Sequence, residues 1–235
     1  MSNPTSEKRD HYESVKKYFH NDAAEYEQYY DVNNINELHR NLRRRNDWKM
    51  YTSVLDGIIA KDEVLTSTID VGCGIGNFLL ELVRRNQFTT IVGMDFLQET
   101  MKIAHARSQY FSTVDFMQGD LLNIPFKDRS FDLTVCVNVL HHIHKEDFSK
   151  AIDELARITR KYLMIEVRNR NNLLEFFYQT IVLQHRYKNL PQYTISIPEL
   201  HHLLQRNGFV LERVKGKLPV AWLCRRIVCI YKRID

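Results

Sequence analysis

From about Asp10 to Ala60, apolar and aromatic side chains recur every three to four positions. Val15, Phe19, Ala23 and Tyr26 come first, followed less strictly by Leu38, Leu42, Trp48, Tyr51, Leu55 and Ile58. That spacing predicts helices, and Asn33-Asn34 divides the region in two. From Thr68 the rhythm changes. Short apolar runs at Thr68–Val71, Thr90–Asp95, Val114–Gly119, Ser130–Val137 and Tyr162–Val167 read as strands. Helical segments begin between them at Asn77, Gln98 and Lys145, and their patterns fade near Asn86, Ser108 and Arg157. Strands alternating with helices are the sequence form of a parallel sheet with crossover connections.

Beyond Arg168 the pattern shifts again. Asn171-Asn172 can cap a helix whose body, Leu173–Leu183, is rich in apolar and aromatic residues and holds one charged residue, Glu175. Ser196-Ile197-Pro198-Glu199 reads as a capping box, and Asn207-Gly208 as the stop of the helix it opens. Phe209–Val214 and Ile227–Tyr231 predict two final strands.

Composition narrows the class. At 235 residues, 44% hydrophobic and 26% charged, the chain suits one globular domain with appended elements. No apolar run reaches the roughly 18 residues of a spanning helix. The segment Met1–Asp10 lacks the apolar stretch of a signal peptide. Peripheral membrane contact stays open. Cys73, Cys136, Cys224 and Cys229 form no C-x-x-C pair and read as free thiols, which points to a reducing, cytoplasmic setting. A net charge of +4 does not by itself call for nucleic acid.

The chemistry concentrates where the first strand ends. Asp70-Val71-Gly72-Cys73-Gly74-Ile75-Gly76-Asn77 sets three glycines at alternate positions between a strand and a helix. Such a loop turns sharply, lets a ligand approach without a Cβ in the way, and is expected to offer N–H groups and a positive dipole end. Asp95 closes the second strand 19 residues after Gly76. At about 20 residues, a carboxylate in that place bonds ribose hydroxyls. Together these features predict a pocket for a nucleoside-containing cofactor. A dinucleotide loop has the form G-x-G-x-x-G/A, with a small third residue beneath the pyrophosphate. Here that position is Asn77, so a pyrophosphate is not expected and a dinucleotide-dependent reductase is disfavoured.

The Asp-x-Gly-x-Gly-x-Gly form resembles motif I of the class I S-adenosylmethionine-dependent methyltransferases. The stretch from Gly119-Asp120 through Ile124-Pro125-Phe126 and Ser130-Phe131-Asp132 to His141-His142-Ile143 is similar to the small-molecule branch of that superfamily. This branch includes quinone-biosynthesis methyltransferases. The resemblance runs from about Val64 to about Val167. It implies an α/β fold: a Rossmann-like, seven-stranded, mainly parallel sheet with helices on both faces, closed by an antiparallel hairpin. The expected organisation is an N-terminal helical cap over 1–60 and a cofactor domain over 61–235, with a helical insertion at about 171–206.

The resemblance implies S-adenosyl-L-methionine as cofactor. Asp70, Gly72, Cys73, Gly74, Gly76 and Asn77 would form its loop, and Asp95 would hold the ribose unless it merely caps the next helix. Asp120 would meet the adenine amino group, Phe96 and Leu121 would flank the ring, and Asn138 would contact the amino-acid part. His141 or His142 can serve as general base, since an imidazole near its own pKa suits removal of a phenol or enol proton; a structural role is the alternative. Neighbouring histidines match no zinc spacing, and no metal is expected.

The acceptor is expected to be an aromatic or lipid-like small molecule walled by Phe19, Tyr26, Tyr30 and Phe177. The Leu173–Leu183 segment is then a lid, or else core. Arg40, Arg43, Arg44 and Arg45, with Trp48 and Tyr51 nearby, make a solvated face or an anion-binding patch, the latter fitting an RNA substrate. A non-catalytic cofactor-binding partner of another enzyme is the remaining alternative.

Overall fold

The computed structural model describes residues 6–29, 46–61, 64–108, 114–169, 192–216 and 224–234, without the side chains of 22–29 and 46–47. The helix expected over Leu173–Leu183, the Asn33-Asn34 break, the arginine cluster at 40–45, Tyr30 and Phe177 lie outside these residues, as does the side chain of Tyr26. The elements in order are α1 (Ser6–Tyr29), α2 (Asn46–Ile59), β1 (Ser67–Val71), α3 (Asn77–Arg84), β2 (Thr90–Asp95), α4 (Gln98–Ser108) and β3 (Val114–Gln118). They continue with β4 (Phe131–Cys136), α5 (Phe148–Ile158), β5 (Thr159–Arg168), α6 (Ile197–Gln205), β6 (Phe209–Gly216) and β7 (Arg226–Arg233).

The seven strands form one sheet in the order β3-β2-β1-β4-β5-β7-β6. The β1–β5 pairings are all parallel, and β7 runs antiparallel between β5 and β6. The fold class and closing hairpin are therefore as the sequence implied. Every residue of β4 is buried, as expected for a central strand covered on both faces. One apolar layer joins Ile69, Val71, Leu163 and Ile165 to Leu155 of α5 and Leu200 and Leu204 of α6. The other joins Leu133, Val135 and Met164 to Val54 and Leu55 of α2 and Leu79 and Leu82 of α3.

Local chemistry explains several boundaries. Ser196 Oγ accepts from the Glu199 N–H at 3.3 Å, which starts α6, while Gly208 at φ +79° turns the chain into β6. The helix expected from Lys145 instead opens as a 3-10 turn over Lys145–Asp147 and becomes α-helical at Phe148. His144 Nδ1 accepts from Glu146 N there at 3.4 Å. Glu81 is completely buried in α3. Trp48 Nε1 and Arg85 Nη1 donate to its two oxygens at 3.2 and 2.7 Å, so the charge is compensated as burial requires and α2 is tied to α3.

Candidate active site

The parallel strands end on one edge, and the glycine loop leaves that edge first. Gly72, Gly74 and Gly76 have φ of +77°, +52° and +79°, the left-handed region that favours glycine. A Cβ at Gly72 would lie 2.2 Å from Val139 Cγ2, so the loop nests against the turn after β4. At Gly74 an added Cβ would meet nothing within 4 Å; here the loop opens on the cleft. The loop does not offer its donors freely, as the sequence suggested. Gly72 and Cys73 N–H bond to Met94 O at 2.7 and 3.0 Å, Gly74 N–H to Asp95 Oδ2 at 2.8 Å, and Gly76 N–H to Cys73 O at 2.9 Å. Four donors committed within the protein suit a ligand without phosphate.

Asp95 is the hub of this wall. Besides the Gly74 bond, its Oδ1 accepts from Leu97 N at 3.0 Å and Thr100 Oγ1 at 3.3 Å. Burial pushes its carboxyl above the usual range despite those donors. Asp70 lies beneath at the end of β1, and burial followed by the Asp95 charge raises it to about 8. The buried Arg107 of α4 donates to the Ile75 carbonyl and, at 3.0 Å, to Asn77 Oδ1. It clamps the loop from behind, and nothing in sequence spacing pointed to it. On the far side, Arg157 Nη2 donates to Ile124 O at 2.9 Å, and Glu154 Oε2 accepts from Ile124 N at 2.7 Å. These bonds hold the segment that follows Asp120, whose Oδ1 accepts from Leu122 N at 2.8 Å.

The opposite wall is the turn after β4, roofed by α1. Asn138 sits at φ +62°. His141 and His142 follow in a 3-10 turn with ring centroids 4.0 Å apart. Burial depresses both imidazoles, His141 far below the ordinary value and His142 to about 3, with Arg168 adding to the His142 shift. Neither titrates near neutrality, contrary to the expectation of an imidazole close to its own pKa. Helix α1 is latched to this turn. Tyr12 Oη and Lys8 Nζ each donate to Asp147 at 2.7 Å, His11 Nε2 lies 2.8 Å from His142 O, and Phe19 meets the His142 ring edge-on at 4.9 Å.

Between the walls lies a cleft of about 540 Å³. Of the residues expected from sequence, Gly72, Gly74, Asp95, Phe96, Asp120, Leu121, Asn138, His142 and Phe19 line it. Asp70, Cys73, Gly76, Asn77 and His141 do not; all but the half-buried Asn77 are buried, His141 under the turn. Sequence reading missed Tyr12, Val15 and Lys16 of α1, Met94, Leu97 and Thr100 around β2, Gln118 and Leu122 around β3, and Val139 and Ile143 after β4. Of the α1 residues, Val15 was legible only as part of a helical stripe whose partner no local pattern names, and Tyr12 and Lys16 lay outside that stripe. Among the described residues no group of histidine, cysteine or acidic side chains can hold a metal ion.

Residues 68–162 match a family described as a methyltransferase domain. "Probable tRNA methyltransferase 9B" of Bos taurus is 33% identical over 90 residues, 38% of this chain and 18% of that protein. "Ajmaline N-methyltransferase" of Rauvolfia serpentina is 28% identical over 159 residues, 66% of this chain and 46% of the relative. "Demethylmenaquinone methyltransferase" of Staphylococcus carnosus is 26% identical over 151 residues, 63% of this chain and 56% of the relative. The chain thus spans less than two thirds of the length of each of these relatives. The fold is shared with magnesium protoporphyrin IX methyltransferase (ChlM) from Synechocystis PCC 6803 with bound SAM. That likeness has a TM-score of 0.59 at 18% identity and covers 80% of this chain and 82% of that one. Residues 68–162 are thus similar to methyltransferase domains, and they contain the glycine loop and the acid ending β2 within a sheet of the same fold.

Proposed function

We propose that this chain transfers the methyl group of S-adenosylmethionine to a small-molecule acceptor with an aromatic or lipid-like body. The observation that carries the reading is the Asp95 carboxylate fixed beside the open face of Gly74, at the edge of a cleft of about 540 Å³. That size is ordinary for a small-molecule pocket, typically about 300–1,000 Å³. The donor set fits the cofactor. Asp95 keeps acceptor capacity for ribose hydroxyls, and Phe96 and Leu121 give apolar surfaces for a base beside Asp120. Gly72 and Asn138 lie on the side left for an amino-acid moiety.

S-adenosylmethionine, when bound, supplies an electrophilic methyl group on a sulfonium centre. The chain's own residues then have to align an acceptor and exclude water, and orientation can account for much of the barrier reduction. Tyr12, Val15 and Phe19 of α1, with Ile143, form the apolar wall for that acceptor. His142, neutral at physiological pH, accepts a hydrogen bond from an acceptor hydroxyl or amine and orients it. Helix α1, part of the cap expected over 1–60, encloses the cleft on that side. Four buried free cysteines suit a reducing compartment such as the cytoplasm, and no described helix is long and apolar enough to cross a membrane.

The relatives named for demethylmenaquinone and ajmaline support a small-molecule acceptor; the relative named for tRNA supports an RNA acceptor instead. Two experiments separate these. Calorimetry with S-adenosylmethionine and S-adenosylhomocysteine tests the cofactor, and absence of heat at several temperatures refutes it. A labelled-methyl screen of a cell extract, run with and without ribonuclease, tests the acceptor: label in a nuclease-sensitive product favours RNA. Cofactor binding without transfer to any acceptor would favour a non-catalytic partner protein.

A further inference from the structure

Asn138 is held in a way its position at a strand end does not require. Its φ of +62° is in the left-handed region, which costs a side-chain-bearing residue about 1–2 kcal/mol, less for asparagine. Its N–H donates to the fully buried Glu166 Oε2 at 2.8 Å. Its amide Oδ1 accepts from Arg226 Nη1 at 3.0 Å. Arg226 comes from β7, 88 residues along the chain, and its Nε lies 4.0 Å from Glu166 Oε1. A guanidinium only donates, so the amide oxygen must face Arg226 and the orientation of the amide is chemically fixed. The NH₂ group is thereby left on the side away from that guanidinium nitrogen, on a residue that lines the cleft.

We infer that Arg226, braced by Glu166, is a positioning residue that turns the Asn138 NH₂ group toward the carboxylate of the amino-acid end of the cofactor. This rests on the cofactor reading above. With the base beside β3 and the ribose at Asp95 on β2, the rest of the ligand extends along the strand ends past β1 to β4, where Asn138 stands. An NH₂ donor suits an oxygen acceptor there.

The test measures binding of S-adenosylhomocysteine and of its decarboxylated analogue, which keeps the amine, to the full chain by calorimetry. Asn138→Gly removes the amide without straining a left-handed backbone. It is expected to weaken S-adenosylhomocysteine about tenfold or more, the usual scale for a hydrogen bond to a charged group, and to leave the analogue unchanged. Arg226→Met should weaken S-adenosylhomocysteine less, and Arg226→Lys should restore part of the loss. Arg226→Met made in the Asn138→Gly background should add nothing.

Equal weakening of both ligands by Asn138→Gly, or of neither, overturns the inference. An additive loss in the double variant also overturns it, because Arg226 would then act through its own charge. Should Arg226→Met not fold, the Asn138→Gly and Arg226→Lys arms decide. A wild-type chain that binds neither ligand refutes the cofactor reading itself, and this inference with it.

Discussion

Along the ends of β1, β2 and β3, polar groups are bound to one another before any ligand arrives: Asp95 holds the N–H groups of Gly74 and Leu97, and Met94 O holds those of Gly72 and Cys73. Around the turn after β4 and under α1 the reverse holds. Nδ1 of His11, of His141 and of His142 are buried without a partner, as is Nε2 of His144. The first wall is assembled from neighbours in one βαβ unit, so its geometry is preorganised. The second brings together residues more than a hundred positions apart, and of its orphaned nitrogens His142 Nδ1 belongs to the residue that lines the cleft. A cofactor common to many proteins suits the fixed wall, and an acceptor particular to this one suits the other.

The walls meet at Gly72, so the largest effect is expected there. Gly72→Ala adds a Cβ against Val139 and an unfavourable φ. Left-handed strain of about 1–2 kcal/mol and overpacking of about 1–3 kcal/mol should together lower the denaturant midpoint sharply. Gly74→Ala meets no neighbour and should show only the strain, about 1–2 kcal/mol, along with weaker cofactor binding. Equal losses from the two substitutions would mean the walls do not touch.

Asp70 tests how tightly the fixed wall is sealed. Burial, then the Asp95 charge, raises its carboxyl to about 8. In the folded chain it stays protonated while the unfolded chain ionises. Its contribution is therefore intact below about pH 4 and is lost as pH rises towards 8. Asp70→Asn should accordingly stabilise the protein at pH 8, by an amount of order a few kcal/mol, and change little near pH 4. Thermal melts at the two pH values check this, and a stabilisation confined to acid would reverse the sign.

For the ligand itself, Asp95→Ala should weaken S-adenosylmethionine by about 1.5–3 kcal/mol, the range of charge-assisted bonds; unchanged affinity in calorimetry would remove Asp95 from the site. On the other wall, Tyr12→Phe removes one bond to Asp147. It should cost about 1 kcal/mol of stability and raise the Michaelis constant for the acceptor more than that for the cofactor. The smallest effect concerns pH. With His142 held near 3, the methyl-transfer rate should show no His142 inflection between pH 5 and 8. A rise centred near 6.5 that His142→Ala abolishes would show an imidazole titrating at its ordinary value.

The pattern of strands and helices from Thr68 to Val167 was legible because each element carries its own period, and Gly72, Gly74 and Asp95 because loop and acid lie within one supersecondary unit. Ser196 and Gly208 were equally plain, being local backbone chemistry. The histidine pair was visible as a pair only. That His142 lines the cleft while His141 lies buried beneath it depends on how the 3-10 turn seats against β5 and α1. Arg107, Arg226 and the Lys8–Tyr12–Asp147 latch were not legible at all. Long polar side chains carry no periodic signal, and their partners are chosen by the packing of distant elements.

By itself, then, the sequence determined the sheet, the loop and the acid that ends β2, because short-range periodicity and glycine stereochemistry act within a few residues. Tertiary structure alone decided which donors are already committed, how α1 roofs the cleft and which way the Asn138 amide faces. Those outcomes depend on burial and on contacts between segments as far apart as β4 and β7.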